Sequence, residues 1–362
     1  MGFAQYIELL PGSGYGGEGI GAPIFVGRNR TIALTLDVTD APSTAIASVY
    51  LETASSQFAT RWRKIGPTIE SIGVASTALT ATNADAFIRA RYAIAEIGSA
   101  SAIGLSLAGQ AQCVLLESSA LTGSGTSASI DLAQYHGGRF AALVTSAPGS
   151  GQTLALTIER SSDGSSWETA ATFASIAAAG EFTIESADLD RFVRVKRVPS
   201  GVGSWTFGVA GTSHLIYARA RDRALLGIRN GAIPGTTTTQ QLGALISATG
   251  IVTSYYNRYD HPLRAWGGDT SQATIALGDW ALLTTQSKDP ARVNEGGGSY
   301  QSEAERWTAW LGLVAGVERN RKLVPSNIID SAPSNEKGEV KRWSFASNPN
   351  PYGQGNGYGG GL

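Results

Sequence analysis

Two kinds of hydrophobic periodicity divide the chain. From about residue 24 to 217, apolar and polar residues alternate, as in residues 31–38 and 154–160. Such alternation is typical of strands that bury one face. Clusters of Gly, Pro, Asp and Ser separate these runs, for example at residues 147–151 and 163–166, and they favour tight turns. This part of the chain is therefore predicted to be antiparallel β-structure.

The predicted β region contains an internal repeat. Matching positions lie 102 to 107 residues apart, close to the ~100 residues of a small β-sandwich. The segments that recur are residues 51–55, Trp62, 85–91 and 107–109, which match residues 158–162, Trp167, 190–196 and 209–211. We therefore predict two tandem antiparallel β-sandwich domains, over residues 24–112 and 113–218.

The repeat also predicts the direction of particular side chains. Phe87 and Phe192 are expected to point inward. The same register places four cations on one common face: Arg89, Arg91, Arg194 and Lys196. We expect three tryptophans to be buried at strand positions, namely Trp62, Trp167 and Trp205.

After about residue 219 the period changes to three and four, which is typical of one face of a helix. Three stripes follow this spacing: Leu242, Leu245, Ile246, Thr249, Val252, Tyr256 and Tyr259; then Ala273, Ala276, Leu277, Trp280 and Leu283; then Ala304, Trp307, Trp310, Leu311, Val314 and Val317. Threonines at 236–239 are candidates for the N-cap of the first helix. We predict a small all-α domain over residues 219–331.

Both ends of the chain are rich in glycine and are predicted to be extended. Residues 1–23 and 332–362 can bury little, and ordering them costs backbone entropy, so we expect order only on assembly. Residues 12–17 match G-x-G-x-x-G, but Pro11 precedes and more glycine follows. A dinucleotide site needs a strand before this motif and a helix after it, so we interpret the segment as an arm. In the C-terminal tail, Tyr352 and Tyr358 are candidate anchors.

Charge and composition exclude several classes of protein. Lys and Arg number 28 against 29 Asp and Glu, so the chain has no overall field to hold nucleic acid or an anionic membrane. Cys113 is the single cysteine, and the three histidines are scattered, which argues against a disulfide and a metal site. Residues 1–10 lack a basic region followed by a long apolar run, so we expect no secretory signal, and the sequence has no apolar run of about 18 residues. We expect a soluble protein without cofactor or metal.

Catalytic signatures are also missing from the sequence. No G-x-S-x-G elbow and no paired carboxylates stand out, so we expect that the protein is not an enzyme. Cations cluster at the start of the helical region, at Arg219, Arg221 and Arg223. Because Asp222 interrupts them, we predict that they face a protein partner rather than DNA.

Residues 219–330 contain motifs that resemble a phage family. Residues 252–263 place a tyrosine near a helix end, followed by Arg258-Tyr259, two residues and Pro262-Leu263. The last helix then begins Glu305-Arg306-Trp307. This pattern resembles the head-completion or head–tail connector (adaptor) family of Mu-like and other long-tailed phages. Family members usually consist of this helical domain alone, whereas here about 218 residues of β-structure precede it. The segment at 290–298 is also longer than usual. The β part resembles Ig-like or jelly-roll domains of phage virion proteins.

The resemblance implies a structural virion protein of a tailed phage or phage-like particle. Such a protein is made in the bacterial cytoplasm and lies in the neck of the particle. About a dozen copies form a homo-oligomeric ring that docks on the portal ring and links the capsid to the tail. Expected partners are the portal, capsid and tail or neck proteins, with a passing contact to packaged DNA and none to a membrane. The candidate partner-binding residues are Arg219, Arg221, Arg223, Arg258, Tyr259, Tyr352 and Tyr358.

Two other interpretations remain open at this point. The sandwiches could make the protein a capsid decoration or tail-associated host-binding protein, which exposed aromatic residues in loops would favour. An enzyme of the tail, such as a glycosidase or peptidase, is the second alternative, and turnover of a cell-wall or capsular polymer would reveal it.

Overall fold

A computed structural model describes residues 5–55, 57, 59–95, 102–149, 151–225, 236–256, 259, 261–263, 265–286, 299–315, 325 and 328. The strands are β1 Gln5–Tyr15, β2 Glu18–Ile20, β3 Ile24–Phe25, β4 Thr31–Thr39, β5 Ile46–Ala54, β6 Arg63–Ile72, β7 Ala75–Ala81, β8 Phe87–Ala95, β9 Ile103–Leu121, β10 Gly125–Thr126, β11 Ile130–Asp131, β12 Gly137–Ser146, β13 Leu154–Ser161, β14 Glu168–Thr172, β15 Gly180–Ser186, β16 Phe192–Pro199 and β17 Trp205–His214. The helices are α1 Asp222–Leu225, α2 Thr238–Tyr255, α3 Gly268–Thr285 and α4 Tyr300–Ala315.

The predicted fold class is confirmed: two antiparallel β-sandwiches precede a helical region. In the first sandwich, β1, β4, β7 and the first half of β9 pack against a sheet of β2, β3, β5, β6 and β8. In the second, β12, β15, β17 and the rest of β9 pack against β10, β11, β13, β14 and β16. Strand β4 shows the predicted alternation, since Ile32, Leu34, Leu36 and Val38 are buried between exposed or half-buried neighbours.

Strand β9 belongs to both sandwiches. Its 19 residues pair with β4 as far as Gln112 and with β17 from Cys113 onward. The predicted domain boundary at 112/113 thus falls inside one strand. At about 3.3 Å per residue the strand extends for roughly 60 Å. Because the last strand of one sandwich continues as the first strand of the next, the two share a seven-stranded sheet.

The pairing along β9 orients the two sandwiches. Thr39, the last residue of β4, lies beside Gly104, whereas Thr31, the first, lies beside Gln112. On the other half, Leu121 lies beside Trp205, the first residue of β17. The loop after β4 and the loop before β17 therefore lie at opposite ends of β9.

Between these ends the two sandwiches meet at a waist, formed by residues 25–30, 131–136 and 213–214. The side-chain oxygen Oδ1 of Asn29 accepts a hydrogen bond of 2.9 Å from the backbone N–H of Ser213. The rings of Phe25 and Tyr135 stack with centroids 6.4 Å apart. These contacts add side-chain support to the shared strand.

The N-terminal segment differs from the predicted arm over residues 1–23. Strand β1 pairs with β9 from Gln5 opposite Ala111 to Tyr15 opposite Ile103, and β2 pairs with β8. Ile7 and Leu9 alternate into the core of the first sandwich, which repays the entropy of ordering the segment. Shifts in register between Glu8 and Ser13 accommodate the sequence around Pro11. The predicted C-terminal tail, 332–362, lies outside the described residues.

In the helical region, α2 packs against β12 and β15 at the waist end of the second sandwich, and α3 and α4 pack on α2 and on each other. The predicted cap is confirmed, because Thr237 and Gln240 form a reciprocal capping box at the start of α2. Leu242 and Leu245 of α2 are buried with Ile216, the residue that follows the second sandwich. Most predicted stripe positions are buried, but Trp280 of α3 is 38% exposed.

Equivalent glycines let neighbouring strands approach closely in each sandwich. A Cβ atom on Gly109 would lie 2.8 Å from Cα of Leu34 on β4. A Cβ atom on Gly211 would lie 2.7 Å from Cα of Phe140 on β12. Real Cβ atoms do not approach backbone atoms so closely, so any side chain here forces the strands apart.

We predict that Gly109→Ala and Gly211→Ala each lower the free energy of unfolding by about 1–3 kcal/mol, the usual cost of overpacking. Urea unfolding of the full chain measures this change. Gly123→Ala is the matched control, because nothing lies within 4 Å of a Cβ atom there, and it should change stability little. Equal stability of Gly109→Ala and the control would contradict the close approach.

Candidate functional site

The segment of residues 215–223 connects β17 to α1 and carries the predicted arginines. Tyr217, in its centre, is 1% exposed and makes hydrogen bonds to two helices. Its N–H donates to Oγ1 of Thr249 at 3.1 Å, and its carbonyl accepts from Nε1 of Trp266 at 2.7 Å and from Oγ of Ser271 at 2.8 Å. The ring of Trp266 packs on that of Tyr217 with centroids 4.7 Å apart. Backbone and ring of Tyr217 thus hold the connecting segment inside the helical domain.

Asp190 joins this segment to the second sandwich. It lies between β15 and β16 and is 5% exposed. Its Oδ1 accepts a hydrogen bond of 2.7 Å from Nη1 of Arg219 and another from Nη2 of Arg221. Arg219 also pairs with Asp222 at 3.0 Å, and Arg221 pairs with Asp188 at 3.3 Å.

The ion pairs lower the pKa of Asp190. Burial alone would raise the pKa of Asp190, but the hydrogen bonds and charges of Arg221 and Arg219 outweigh it and hold the pKa below its usual value. Arg160 of β13 completes the cluster through an ion pair with Asp188. Asp190 is therefore held as a carboxylate, and the guanidinium groups of Arg160, Arg219 and Arg221 contact Asp188 and Asp190.

A second ion pair lies within the helical domain. Nε of Arg223 donates to Oδ1 of Asp279 at 2.7 Å, and the two residues are 7% and 0% exposed. Burial raises the pKa of Asp279, and the charge and hydrogen bond of Arg223 oppose that rise. The pair ties α1 to the middle of α3.

The structure therefore places all three predicted arginines, 219, 221 and 223, in ion pairs within the chain. Sequence reasoning identified Asp222 but missed Asp190 and Asp279, because these lie 29 and 56 residues from their arginine partners. Arg219 and Arg221 connect the helical domain to the second sandwich, whereas Arg223 pairs with Asp279 inside the helical domain. Their role in binding a partner stays a prediction.

The other candidate residues are separate from this cluster. Tyr259 is half-buried, with its ring 5.8 Å from that of Tyr256. Within the same motif, Tyr256 and Leu263 are buried, at 0% and 2% exposed, so these motif residues build the helical core. Arg258, Tyr352 and Tyr358 lie outside the described residues.

A repeated cluster occupies the outer face of the smaller sheet in each sandwich. In the first, Nε of Arg89 donates to Oε2 of Glu52 at 2.8 Å, and Cζ of Arg89 lies 4.1 Å from the ring centre of Trp62. Arg91 approaches the same glutamate at 3.8 Å. The predicted common face for Arg89 and Arg91 is therefore observed.

The second sandwich repeats this geometry closely. Arg194 bonds Glu159 at 2.7 Å and lies 4.0 Å from the ring centre of Trp167, while Lys196 stands 3.4 Å from Glu159. Both glutamates are 7% exposed. Each cluster fastens the loop that carries its tryptophan to the outer face of the sheet.

These clusters correct the predicted burial of the aromatic residues. Trp205 is 1% exposed, as predicted, but Trp62 and Trp167 are half-buried in loops. Phe87 is 5% exposed, whereas Phe192 is half-buried beneath the guanidinium of Arg191. In β16 the inward positions belong to Val193 and Val195, because side chains alternate along a strand.

Two histidines lie at the waist. Nδ1 of His136 is 3.0 Å from the carbonyl of Leu189, and its ring lies against Trp266 with centroids 6.3 Å apart. Burial, followed by the charge of Arg219, lowers the pKa of His136 to about 4. Burial, followed by the charge of Arg139, lowers the pKa of His214 to about 4. Both histidines are therefore neutral at physiological pH.

Within the described part of the chain, no group of three or more His, Cys, Asp or Glu is arranged to hold a metal ion. None of the described helices is long and apolar enough to cross a membrane.

Comparisons with known proteins give only distant overlaps. No family model matches the sequence, and no curated protein matches it significantly. The PBSX exported protein XepA is 9% identical, with a TM-score of 0.23 over 58% of this chain and 86% of its own. The tandem CBM22 domains of Paenibacillus barcinonensis Xyn10C are 9% identical, with a TM-score of 0.19; the match covers 58% of this chain and 98% of that one. A structure of infectious bursal disease virus is 11% identical, with a TM-score of 0.20; the match covers 58% of this chain and 70% of that one. Overlaps this weak carry no argument about function.

We predict that Asp190→Asn lowers the free energy of unfolding by about 2 kcal/mol, because Arg219 and Arg221 lose a charged partner in a largely buried site. Chemical denaturation measures the loss, and amide exchange in α2 should rise with it. Asp131→Asn is the control, since Asp131 and its partner Arg191 have side chains 37% and 58% exposed. That exposed pair should contribute less than about 1 kcal/mol. Similar losses in both variants would show that the cluster does not orient the helical domain.

Stability should fall as the pH decreases from about 6.5 to about 4. The unfolded chain binds protons on His136 and His214 near pH 6.5, whereas the folded chain binds them only near 4, so acid favours unfolding over this interval. The expected loss is on the order of 2 kcal/mol per histidine. Thermal unfolding across this pH range tests it. His136→Asn keeps an amide donor near Leu189 without titrating, so its stability should depend less on pH; an unchanged slope would count against the assignment.

Proposed function

We propose that this chain is a structural virion protein of a tailed phage or phage-like particle, and that it acts as a head–tail connector. In this proposal the helical domain docks on the portal ring, about a dozen copies form a ring at the neck, and the sandwiches contact the capsid and the tail. The protein acts by assembly rather than by catalysis.

The observation that carries the proposal is the continuous connection of the two sandwiches and the contacts that join the helical domain to them. Strand β9 passes through both sandwiches without a linker, and the segment 215–223 is fixed by Tyr217 and Asp190. The far ends of the two sandwiches consequently point in opposite directions, with the helical domain beside the waist. An adaptor between two large structures needs such a body, because it must hold its contacts at fixed separations.

The sequence resemblance adds support for the helical domain alone. Tyr256 and Leu263 of the motif lie in the helical core, so the motif is tied to how this domain folds. The residues that would meet the portal, capsid or neck proteins remain proposals: Arg258 and Tyr259 on the helical domain, and Tyr352 and Tyr358 in the tail.

A second candidate function is favoured by one observation. Trp62 and Trp167 lie in loops and are half-buried, where buried strand positions were predicted. Exposed aromatic residues in loops would favour a decoration or host-binding role for the sandwiches. The part of each half-buried ring that Arg89 or Arg194 leaves uncovered is the candidate contact surface. In that case the helical domain would serve as the attachment point on the particle.

Localisation in intact particles tests both proposals. We would raise antibodies against residues 72–74 and 199–203, which lie at the far ends of the first and second sandwich and expose Val74 and Val202. For a connector, electron microscopy should show both labels only at the head–tail junction. Particles assembled without this protein serve as the control. Label over the shell or at the distal tail would overturn the connector proposal and favour the second candidate.

A further inference from the structure

The repeated clusters differ at two positions, and the difference lies on the solvent side. Across the sheet, Glu52 is flanked by Lys64 and Arg89, whereas Glu159 is flanked by Thr169 and Arg194. In the next row, Tyr50 stands beside Arg91, whereas Thr157 stands beside Lys196. The cluster of the first sandwich therefore has a lysine, Lys64, and a tyrosine, Tyr50, where the cluster of the second sandwich has threonines.

The residues that the two clusters share are distinct from those found in the first cluster alone. Both sandwiches keep the glutamate, the arginine and the tryptophan, so these three are sufficient to fasten the loop to the sheet. Lys64 and Tyr50 are not needed for that task, because the second sandwich performs it without them. Lys64 and Tyr50 are therefore candidates for a role other than holding the loop.

The extra groups are positioned and accessible. Nζ of Lys64 lies 4.9 Å from the ring centre of Tyr50 and bonds the hydroxyl of Thr68. The side chain of Arg91 is 44% exposed and is only loosely paired, at 3.8 Å from Glu52. Arg89 is committed to Glu52 through two bonds of 2.7 and 2.8 Å. Two arginines therefore contact the carboxylate of Glu52, while Lys64 lies over the neighbouring Tyr50 ring. Lys64 and Arg91 keep N–H donors for an outside anion.

We propose that Lys64, Arg91 and Tyr50 form a binding site for the acidic group of a glycan. The two cations would hold a carboxylate of the sugar chain, and the phenol of Tyr50 would offer a hydrogen bond between them. Ile20, 50% exposed and opposite Arg91, provides an apolar surface for the ring of a neighbouring sugar. Ser48 and Thr68 add hydroxyl groups along the same face.

The charges around the site favour a glycan over a nucleic acid. Glu70 and Glu18 stand one row further along the same face, opposite Ser48 and Ala93. That row is about 7 Å away, two residues along a strand. A nucleic acid strand carries a charge roughly every 3.4 Å and would meet these carboxylates. A glycan with acidic groups separated by neutral sugars avoids the repulsion. This proposal does not depend on the connector role.

Affinity electrophoresis of the full chain tests the site. The probe is hyaluronan, which alternates acidic and neutral sugars; neutral dextran and an oligodeoxythymidine are the comparisons. We expect hyaluronan to retard the protein and dextran not to do so. Lys64→Ala and Arg91→Ala should each weaken binding about tenfold, the effect of one charge-assisted hydrogen bond. Lys64→Arg should retain most of the binding.

The second sandwich supplies the matched control. Lys196→Ala removes the cation equivalent to Arg91 from a cluster without the phenol, so hyaluronan binding should not change. Thermal unfolding would verify that each variant folds, as expected for exposed side chains. The proposal is overturned if hyaluronan does not retard the wild-type protein, if Lys196→Ala weakens binding as much as Arg91→Ala, or if the oligodeoxythymidine binds as tightly as hyaluronan.

Discussion

The shared strand β9 is the constraint on which the rest of this molecule depends. Its backbone hydrogen bonds complete the first sandwich on one half and begin the second on the other. The strand changes partner between Gln112 and Cys113 without a break in its own course, so no linker separates the two sandwiches. The waist contacts of Asn29 and Tyr135 are consequences of this continuity, because they join loops that the strand already brings together.

The helical domain is attached by two kinds of interaction with different effects. Apolar contacts of Leu242, Leu245 and Ile216 supply adhesion, which depends little on direction. The ion pairs of Asp190 with Arg219 and Arg221 form in one geometry only, so they select the orientation of the domain. Together with β9, these ion pairs fix the positions of the two sandwiches and the helical domain relative to one another.

Much of this architecture could be predicted from local patterns. Alternation in residues 31–38 and 154–160 predicted strands, the repeat predicted two sandwiches, and the change of period after residue 219 predicted helices. The N-terminal strand was missed because its glycines and Pro11 resemble a flexible arm. The repeat contains the signal that would have found it, since β1 holds the place in the first sandwich that the second half of β9 holds in the second.

The environment of the candidate functional residues depended on tertiary structure more than the secondary structure did. The sequence by itself determined the period of each element, the capping of α2 by Thr237, and the common face of Arg89 and Arg91, because these depend on neighbours a few residues away. Only the tertiary structure decided that Arg219, Arg221 and Arg223 are paired within the chain, and that Trp62 lies in a loop beneath Arg89. Periodicity specifies which face a side chain occupies, whereas its charge partner comes from distant segments that only folding brings together.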